Sequence, residues 1–575
     1  MSYFVKQTKT KKGIYLQIYE GFYDKEKKNS THRSFRALGY LNDFIEQGIA
    51  DPVSHFKAIA DKMTNEERLI KQQEKIEEIS QNSPEKNLGY FLINAVNNQK
   101  NLERDLKFVQ SGWGCNFSIF KLISELIYAR FIDPQSKQKT LLEVFPKLFD
   151  SLKISLDQMY DGVFALGKNY QKIIDIYNEN FKKIIKRDTS KTYFDCTNFY
   201  FEIDEQDDFR RKGPSKENKP NPLVGLGLLL DKNLIPLGMK IYPGNKSEKP
   251  IIREVISELK NSNSIKGKTI QVADKGLNCG ENIVQCVLNG DGYIFSKSVK
   301  GVKGDELKDL LDLTKYEKIL DKNDDIKYLI REYIVEKTYS TVSENKEVKT
   351  VKVNEKRVVS YNPKLAKKKQ LEINKLRAKA EFLTSCSAKK DKYGEAGKYV
   401  NFIAVDKNGN EYGKIKTEIN EKAILRDLSV AGFNMLITSE VNANSQEIYA
   451  TYHNLWRIEE SFKIMKSYLD ARPIYVQREE SIKGHFLICY LSVFLLRILQ
   501  FNVFQNEFST EEIVDFIKNF RVVEITRNKF INVSTRDSVI ERIRENTKLP
   551  ILNSYLSDLQ IERILGYKPI FSTRI

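Results

Sequence analysis

Three acidic residues stand where an acid is costly to keep. Asp195 lies inside the aromatic stretch TYFDCTNFYFEI and, if that stretch is a strand, shares a face with Tyr193 and Thr197. Asp274 closes the apolar run IQVA just before Lys275-Gly276, at the carboxyl end of a strand, where open α/β sheets place their ligands. Glu459 sits in a helical pattern over 446–468, beside Ile458 on the apolar stripe of Ile448, Tyr452, Leu455, Ile458, Phe462 and Met465. An acid there needs a cation or hydrogen bonds to offset its desolvation. Tyr452, Glu459 and Lys466 repeat every seven residues, so they fall along nearly one line of the helix. Each acid also has a plainer reading: an edge-strand surface acid, a turn aspartate, a boundary glutamate that reaches to water. Glu460 faces about 100° away from Glu459 and reads as ordinary surface. Three carboxylates brought together can hold two Mg²⁺ ions. Two such ions about 3.5–4 Å apart clamp the attacking and leaving oxygens of an in-line phosphoryl transfer.

Competing chemistries lack their residues. The chain has no GxxxxGK[ST] loop, no GxSxG elbow and no HExxH, and GLG at 225–227 has no third glycine opening a helix. Only four histidines exist (His32, His55, His453, His485), so carboxylates with hard cations are the available instrument. Lys and Arg total 94 against 77 Asp and Glu, a formal charge of +17 that favours polyanionic partners. Six cysteines without CxxC spacing predict free thiols rather than a disulfide framework or zinc knuckle. With 41% hydrophobic residues, including 32 Phe and 29 Tyr, general disorder is excluded. The membrane-like stretch 485–503 is interrupted by Arg497 and falls short of the roughly 20 apolar residues of a span, so a buried core helix is expected. MSYFVKQTKTKKG has no apolar run after its charges, and a cytoplasmic protein without signal peptide or membrane association is the expectation.

The elements that must position these acids are legible in outline. The 575 residues suggest three or four structural units at about 100–200 residues each. Residues 1–70 read as a basic β-ribbon and helix that binds DNA, rich in Lys6, Lys9, Lys11, Lys12, Lys25, Lys27, Lys28, Arg33 and Arg36, and 71–190 as helical. From 191 to 300 the order is strand, strand, strand, helix, strand, helix, strand. Long charged strands and a basic helical run make 301–440 a β-rich insertion. The Glu459 helix and the apolar helix occupy 441–505, and 506–575 is expected to be a helical tail opening with a Ser509/Glu512 capping box.

At its acids the chain resembles the DDE transposases of bacterial insertion sequences, in the subgroup with a Y-x2-R-x3-E-x6-K motif. The run YHNLWRIEESFKIMK matches at Tyr452, Glu459 and Lys466; Leu455 takes the arginine place, with Arg457 two residues on. YFDCTNFYFE and VADKGLNCGENI resemble the segments of the two aspartates, and RRKGPSKENKPNP and YPGNKSE their surroundings. The likeness covers about 190–300 and 440–500, more weakly the GYLN region and 364–385.

The resemblance implies an α/β, RNase H-like catalytic domain with a mixed sheet, interrupted by the β-rich insertion. Asp195, Asp274 and Glu459 would be the catalytic ligands of two Mg²⁺ (or Mn²⁺) ions. Hydrolysis at the element's ends would free a 3′-OH to attack target DNA, with a hairpin end as a possible variant. Tyr452 and Lys466 would contact phosphates or a displaced base, and Arg457 would replace the missing arginine. Trp456 could stack on a base, although a helix tryptophan is more often core. Lys364, Lys367, Lys368, Lys369, Lys375, Arg377 and Lys379 are candidate DNA contacts, with a solvated charged helix as the simpler reading. Partners would be transposon-end and target DNA, with a homodimer at synapsis. The alternatives are an RNase H-like nuclease without strand transfer and a non-catalytic DNA-binding relative.

Overall fold

The computed structural model describes residues 2–24, 29–74, 85–217, 219–342, 346–386, 389–405, 414–526 and 529–572. Lys25, Lys27 and Lys28 of the amino-terminal basic set, 75–84 of the region expected to be helical, and 406–413 of the expected β-rich insertion lie outside the described residues. The chain forms two compact units. One joins Met1–Lys86 to Arg521–Ser534 and Leu552–Glu562; the other holds Asn87–Phe520, Thr535–Ile551 and Arg563–Ile575.

In the first unit the ribbon expected over 1–40 is a three-stranded antiparallel sheet, β1 (Ser2–Thr10), β2 (Gly13–Asp24) and β3 (Asn29–Tyr40), in that order. Gly13, at φ 126°, supplies the backbone turn between β1 and β2 that a side chain would strain. Leu16, Ile18 and Glu20 share the buried face of β2, as the two-residue alternation requires. Glu20 is tolerated there because the Arg33 Nε lies 2.9 Å from its carboxylate. Lys6, Lys9, Lys11, Lys12 and Arg36 are exposed.

The second unit is mixed α/β around a nine-stranded sheet. After the two-residue β4 (Lys86–Asn87) and a helical segment come β5 (Lys191–Tyr200), β6 (Leu223–Asp231) and β7 (Pro236–Pro243), with β6 antiparallel to both its neighbours. β6 is buried along its whole length, which is why it reads as an unbroken apolar run rather than an alternation. The Ile251–Asn261 helix crosses to β8 (Ile270–Ala273), parallel to β5, and the Gly280–Leu288 helix leads to β9 (Gly292–Lys297), parallel to β8. This is the element order expected for 191–300. The boundary expected at 300 is not observed. β10 (Glu317–Leu320), β11 (Ile326–Val342) and β12 (Val348–Tyr361) belong to the same sheet. The segment with β13 (Val400–Val405) and β14 (Lys414–Ile419) forms a separate small core, around Ile373, Tyr393, Tyr399 and Ile424. β15 (Phe433–Thr438) then inserts between β9 and β12, giving the order β10-β11-β12-β15-β9-β8-β5-β6-β7. Charged alternation marks β11 as a half-exposed strand, but not which sheet it joins.

Beside the sheet lie the Ile119–Ile132, Leu156–Lys168 and Glu479–Ile498 helices. The segment Glu479–Val503 is long and apolar enough to cross a membrane, yet 94% of its most apolar window is buried inside the protein, so it is a core helix as expected. All six cysteines are free, with Cys196, Cys286 and Cys489 buried. The Thr510–Asn519 helix opens with the Ser509/Glu512 capping box. Beyond it the tail expected to be helical has the Ser538–Thr547 and Asp558–Leu565 helices, but strands as well. β16 (Arg521–Thr526), β17 (Lys529–Asn532) and β18 (Tyr555–Ser557) form an antiparallel set within the first unit. Strands of three to six residues are too short for periodicity to distinguish from loop.

Two glycines set the closest helix contact. A Cβ on Gly167 would lie 1.6 Å from the Glu480 carbonyl oxygen, and one on Gly484 would lie 2.1 Å from that of Val163. Gly484→Ala is expected to destabilise the protein by about 1–3 kcal/mol, the usual cost of overpacking. Gly112→Ala, whose new methyl meets no described atom within 4 Å, should stay within about 0.5 kcal/mol. Urea unfolding of both variants checks this.

Candidate active site at the ends of two parallel strands

The site starts from strand register. The last residues paired in parallel between β5 and β8 are Phe194 and Ala273. The next residue on each strand is an aspartate, Asp195 and Asp274, on strands about 4.8 Å apart. Asp195 is half-buried, while Asp274, beyond the end of β8, is exposed and accepts the Gly276 amide that turns the chain away. On the other side of β8, Ala273 pairs with Phe295, which brings Ser296 alongside Asp274.

The helix expected over 446–468 is present in three pieces: Ser445–His453, Trp456–Lys463 and a π-helical turn, Ile464–Tyr468. At the first break the Leu455 amide donates to Tyr452 O and the Ile458 amide to Leu455 O, both at 3.0 Å. These are tightened 3₁₀ bonds. Ile448, Leu455, Ile458, Phe462 and Met465 of the expected stripe are buried, whereas Glu459 beside them is exposed. Its neighbour Glu460, expected to be ordinary surface, carries the buried charge of this helix instead. It pairs with Arg457 at 3.2 Å and with Arg497 at 3.1 Å, and Arg497 is only 1% exposed. Burial works against the Glu460 carboxylate, but the two guanidinium groups prevail and hold its pKa below the ordinary 4.5.

The three acids nonetheless bear on one side chain. Burial raises the pKa of the Tyr452 phenol, a hydrogen bond with Ser296 opposes the rise, and the charges of Asp274, Asp195 and Glu459 add to it. Asp195 has its own counter-ion, which the sequence reading missed. Lys216 Nζ lies 3.9 Å from Asp195 Oδ1 and 3.4 Å from Glu248 Oε1, and donates to the Cys196 carbonyl. The Cys196 amide also donates to Asp195 Oδ1 at 2.7 Å. Burial nevertheless pushes the Asp195 carboxyl up to about 6, helped by Asp274 and Glu248 and opposed by Lys216 and the amide. Among the described residues, no three His, Cys, Asp or Glu side chains form a ready-made metal-ligand group. The available donors are all hard oxygens suited to Mg²⁺ or Mn²⁺, and the ammonium already drawn to them marks a place where positive charge is favoured.

Lys466, on the π-helical turn, pairs with Glu217 at 3.1 Å, and Arg472 pairs with the same carboxylate at 2.7 Å. They stand over the rings of Phe199 (5.2 Å) and Tyr200 (4.7 Å) respectively and line a cleft of about 510 Å³. A second cleft, of about 770 Å³, contains Asp274, Ser296, Tyr452, Lys300, Lys369, Lys375 and Lys398. Trp456 is not a core residue: it is 51% exposed, with the Arg457 guanidinium 4.1 Å from its ring centroid. Leu455, at the arginine place, is buried. The basic run is the Pro363–Ser385 helix, which buries only Ala366, Ile373 and Ala380. Lys364, Lys367, Lys368, Lys369, Lys375 and Lys379 are exposed, Lys369 pairs with Glu372, and Arg377 pairs with Glu381 and Glu421.

Lys216, Glu217 and Glu248 fall within RRKGPSKENKPNP and YPGNKSE, so the segments were visible but their roles were not. Nothing in the sequence marked Arg472. Neither the models of known protein families nor the curated proteins give a match to this chain.

Glu460→Ala would leave Arg497 buried without its carboxylate, and is expected to cost about 3–5 kcal/mol. Glu459→Ala should stay within about 0.5 kcal/mol. Because the folded pKa of Glu460 is depressed, its contribution is present above pH 4.5 and lost as pH falls through the folded value. The stability gap between the protein and Glu460→Ala should therefore narrow in acid, as urea unfolding from pH 7 to pH 3 would measure.

Proposed function

We propose that this chain is a metal-dependent DDE transposase of an insertion sequence, built on an RNase H-like catalytic core. The observation that carries the reading is the parallel register of β5 and β8, which sets Asp195 beside Asp274, with Tyr452, seven residues before Glu459, lining the same cleft as Asp274. The order of three antiparallel strands, a crossover helix and two parallel strands, with Asp195 on the first and Asp274 at the end of the fourth, supports it. So does the exposed basic surface of β1–β3 and of the Pro363–Ser385 helix.

Asp195, Asp274 and Glu459 would hold Mg²⁺ or Mn²⁺, which supplies a nucleophile at neutral pH and neutralises charge developing on a transferring phosphate. The protein's own side chains act around that centre. With its pKa raised, the Tyr452 hydroxyl keeps its proton and donates to a phosphate oxygen. Glu217 holds Lys466 and Arg472 side by side, so a backbone phosphate entering their cleft meets two positioned cations. Trp456, covered by Arg457 and open to solvent, presents a stacking surface one turn from Glu459. Lys300, Lys369, Lys375 and Lys398 give the cleft beside Asp274 the positive charge that a second DNA segment requires.

Asp195→Asn, Asp274→Asn and Glu459→Gln should each abolish Mg²⁺-dependent cleavage of DNA carrying the ends that flank the coding region. Gel-shift affinity for the same DNA should be nearly unchanged. Cleavage by Asp195→Asn would overturn the assignment, and cleavage without joining of the freed 3′ end would favour the plain nuclease. The logarithm of affinity should fall with log salt by about 0.9 per phosphate contact on duplex DNA; a flat response would remove DNA as the partner.

A further inference from the structure

A lysine ammonium has three hydrogens to donate and accepts none. Lys216 directs its ammonium at three oxygens from separate parts of the chain: Asp195 Oδ1 and the Cys196 carbonyl on β5, and Glu248 Oε1 beyond β7. Two carboxylates and a carbonyl are also the donor set of a hard divalent cation. The loop carrying Lys216 is pinned, because Asn198 Nδ2 donates to Pro214 O at 3.0 Å and the Lys216 amide donates to Asn198 Oδ1 at 3.4 Å. The lysine's four-carbon stem is not so held, and its side chain is 43% exposed. It can therefore leave the carboxylates by rotation of the stem alone, with the loop in place.

We propose that Lys216 is the resident counter-ion of the carboxylate site, occupying in the metal-free protein the place beside Asp195 that a divalent ion takes, and leaving it when the ion binds. This rests on the reading of Asp195 as a metal ligand. Without the ammonium, the half-buried Asp195 would face Glu248 and Asp274 without the cation that opposes them, and like charges so close destabilise the fold. With both ammonium and metal in place, the cations would repel. Exchange satisfies both conditions. The released ammonium faces an open cleft of about 370 Å³ lined also by Lys246, Ser247 and Lys249, where a DNA phosphate would be its next partner. Loading the metal would thus free a lysine for the substrate.

The test uses the full chain, with Mn²⁺ as the probe in calorimetry and thermal melting, in the absence of DNA. Lys216→Met should bind Mn²⁺ at least about tenfold more tightly than the unaltered protein, since removing a unit charge about 4 Å away is worth several kcal/mol at the dielectric of a protein surface. Lys216→Arg, which keeps the charge, should stay within about threefold. Metal-free Lys216→Met should melt at a lower temperature, and saturating Mn²⁺ should raise its Tm more than it raises that of the unaltered protein. A purely structural lysine would give the first change without the second. Unchanged or weaker Mn²⁺ binding by Lys216→Met overturns the proposal, as does an unaltered melting temperature in the metal-free variant. Asp195→Asn separates the two claims: if it binds Mn²⁺ as tightly as the unaltered protein, the metal-ligand reading itself fails and the exchange fails with it.

Discussion

A single step of strand register constrains the rest of the site. Phe194 opposite Ala273 on parallel β5 and β8 obliges the next residue of each segment, both aspartates, to stand side by side where β8 ends and β5 continues. Asp195, held within β5 and half-buried, cannot move away, so its charge must be answered by opposite charge brought from elsewhere. Lys216 brings it from the β5–β6 loop and shares it with Glu248. Burial, with Asp274 and Glu248 adding to it, still raises the Asp195 carboxyl to about 6 against the pull of Lys216.

The same logic runs through the surrounding side chains. Glu217 is shared by Lys466 and Arg472, and Glu460 by Arg457 and Arg497. The two networks differ in purpose. Glu217 orders cations that line an open cleft, where a phosphate can join or replace it. Glu460 neutralises an arginine with 1% exposure, so its role is to keep the apolar Glu479–Ile498 helix compatible with the Trp456–Lys463 helix. Adjacent glutamates on one helix thus differ in setting: Glu459 is exposed, and Glu460 answers Arg457 and Arg497.

Rigid packing supports this arrangement from behind. The contacts of Gly167 with Glu480 and of Gly484 with Val163 are between backbones, and allow the apolar helix to lie too close to its neighbour for any larger residue. The nine-stranded sheet extends from β7 to β10 without interruption, so the long strands of 301–440 add to the structure bearing the acids, while the β13–β14 region has a small core of its own.

Much of this was legible from residue patterns. The strand and helix order of 191–300, the buried helix at 485–503, the Ser509/Glu512 cap and the candidate acids all follow from local periodicity and turn chemistry, which act over a few residues and leave their mark in composition. Four features were decided only in three dimensions. They are the joining of β10–β12 and β15 to the central sheet, the return of β16–β18 to the amino-terminal unit, the exchange of roles between Glu459 and Glu460, and the seating of Lys216 on Asp195. Each depends on partners far apart in the chain. A strand's alternation states that one face is buried, not against what, and a helix drawn at 3.6 residues per turn does not show that Arg457 and Arg497 pair with Glu460. Hydrogen-bond pairing and charge compensation are satisfied by whichever groups the fold brings within reach, so these outcomes belong to the tertiary structure alone.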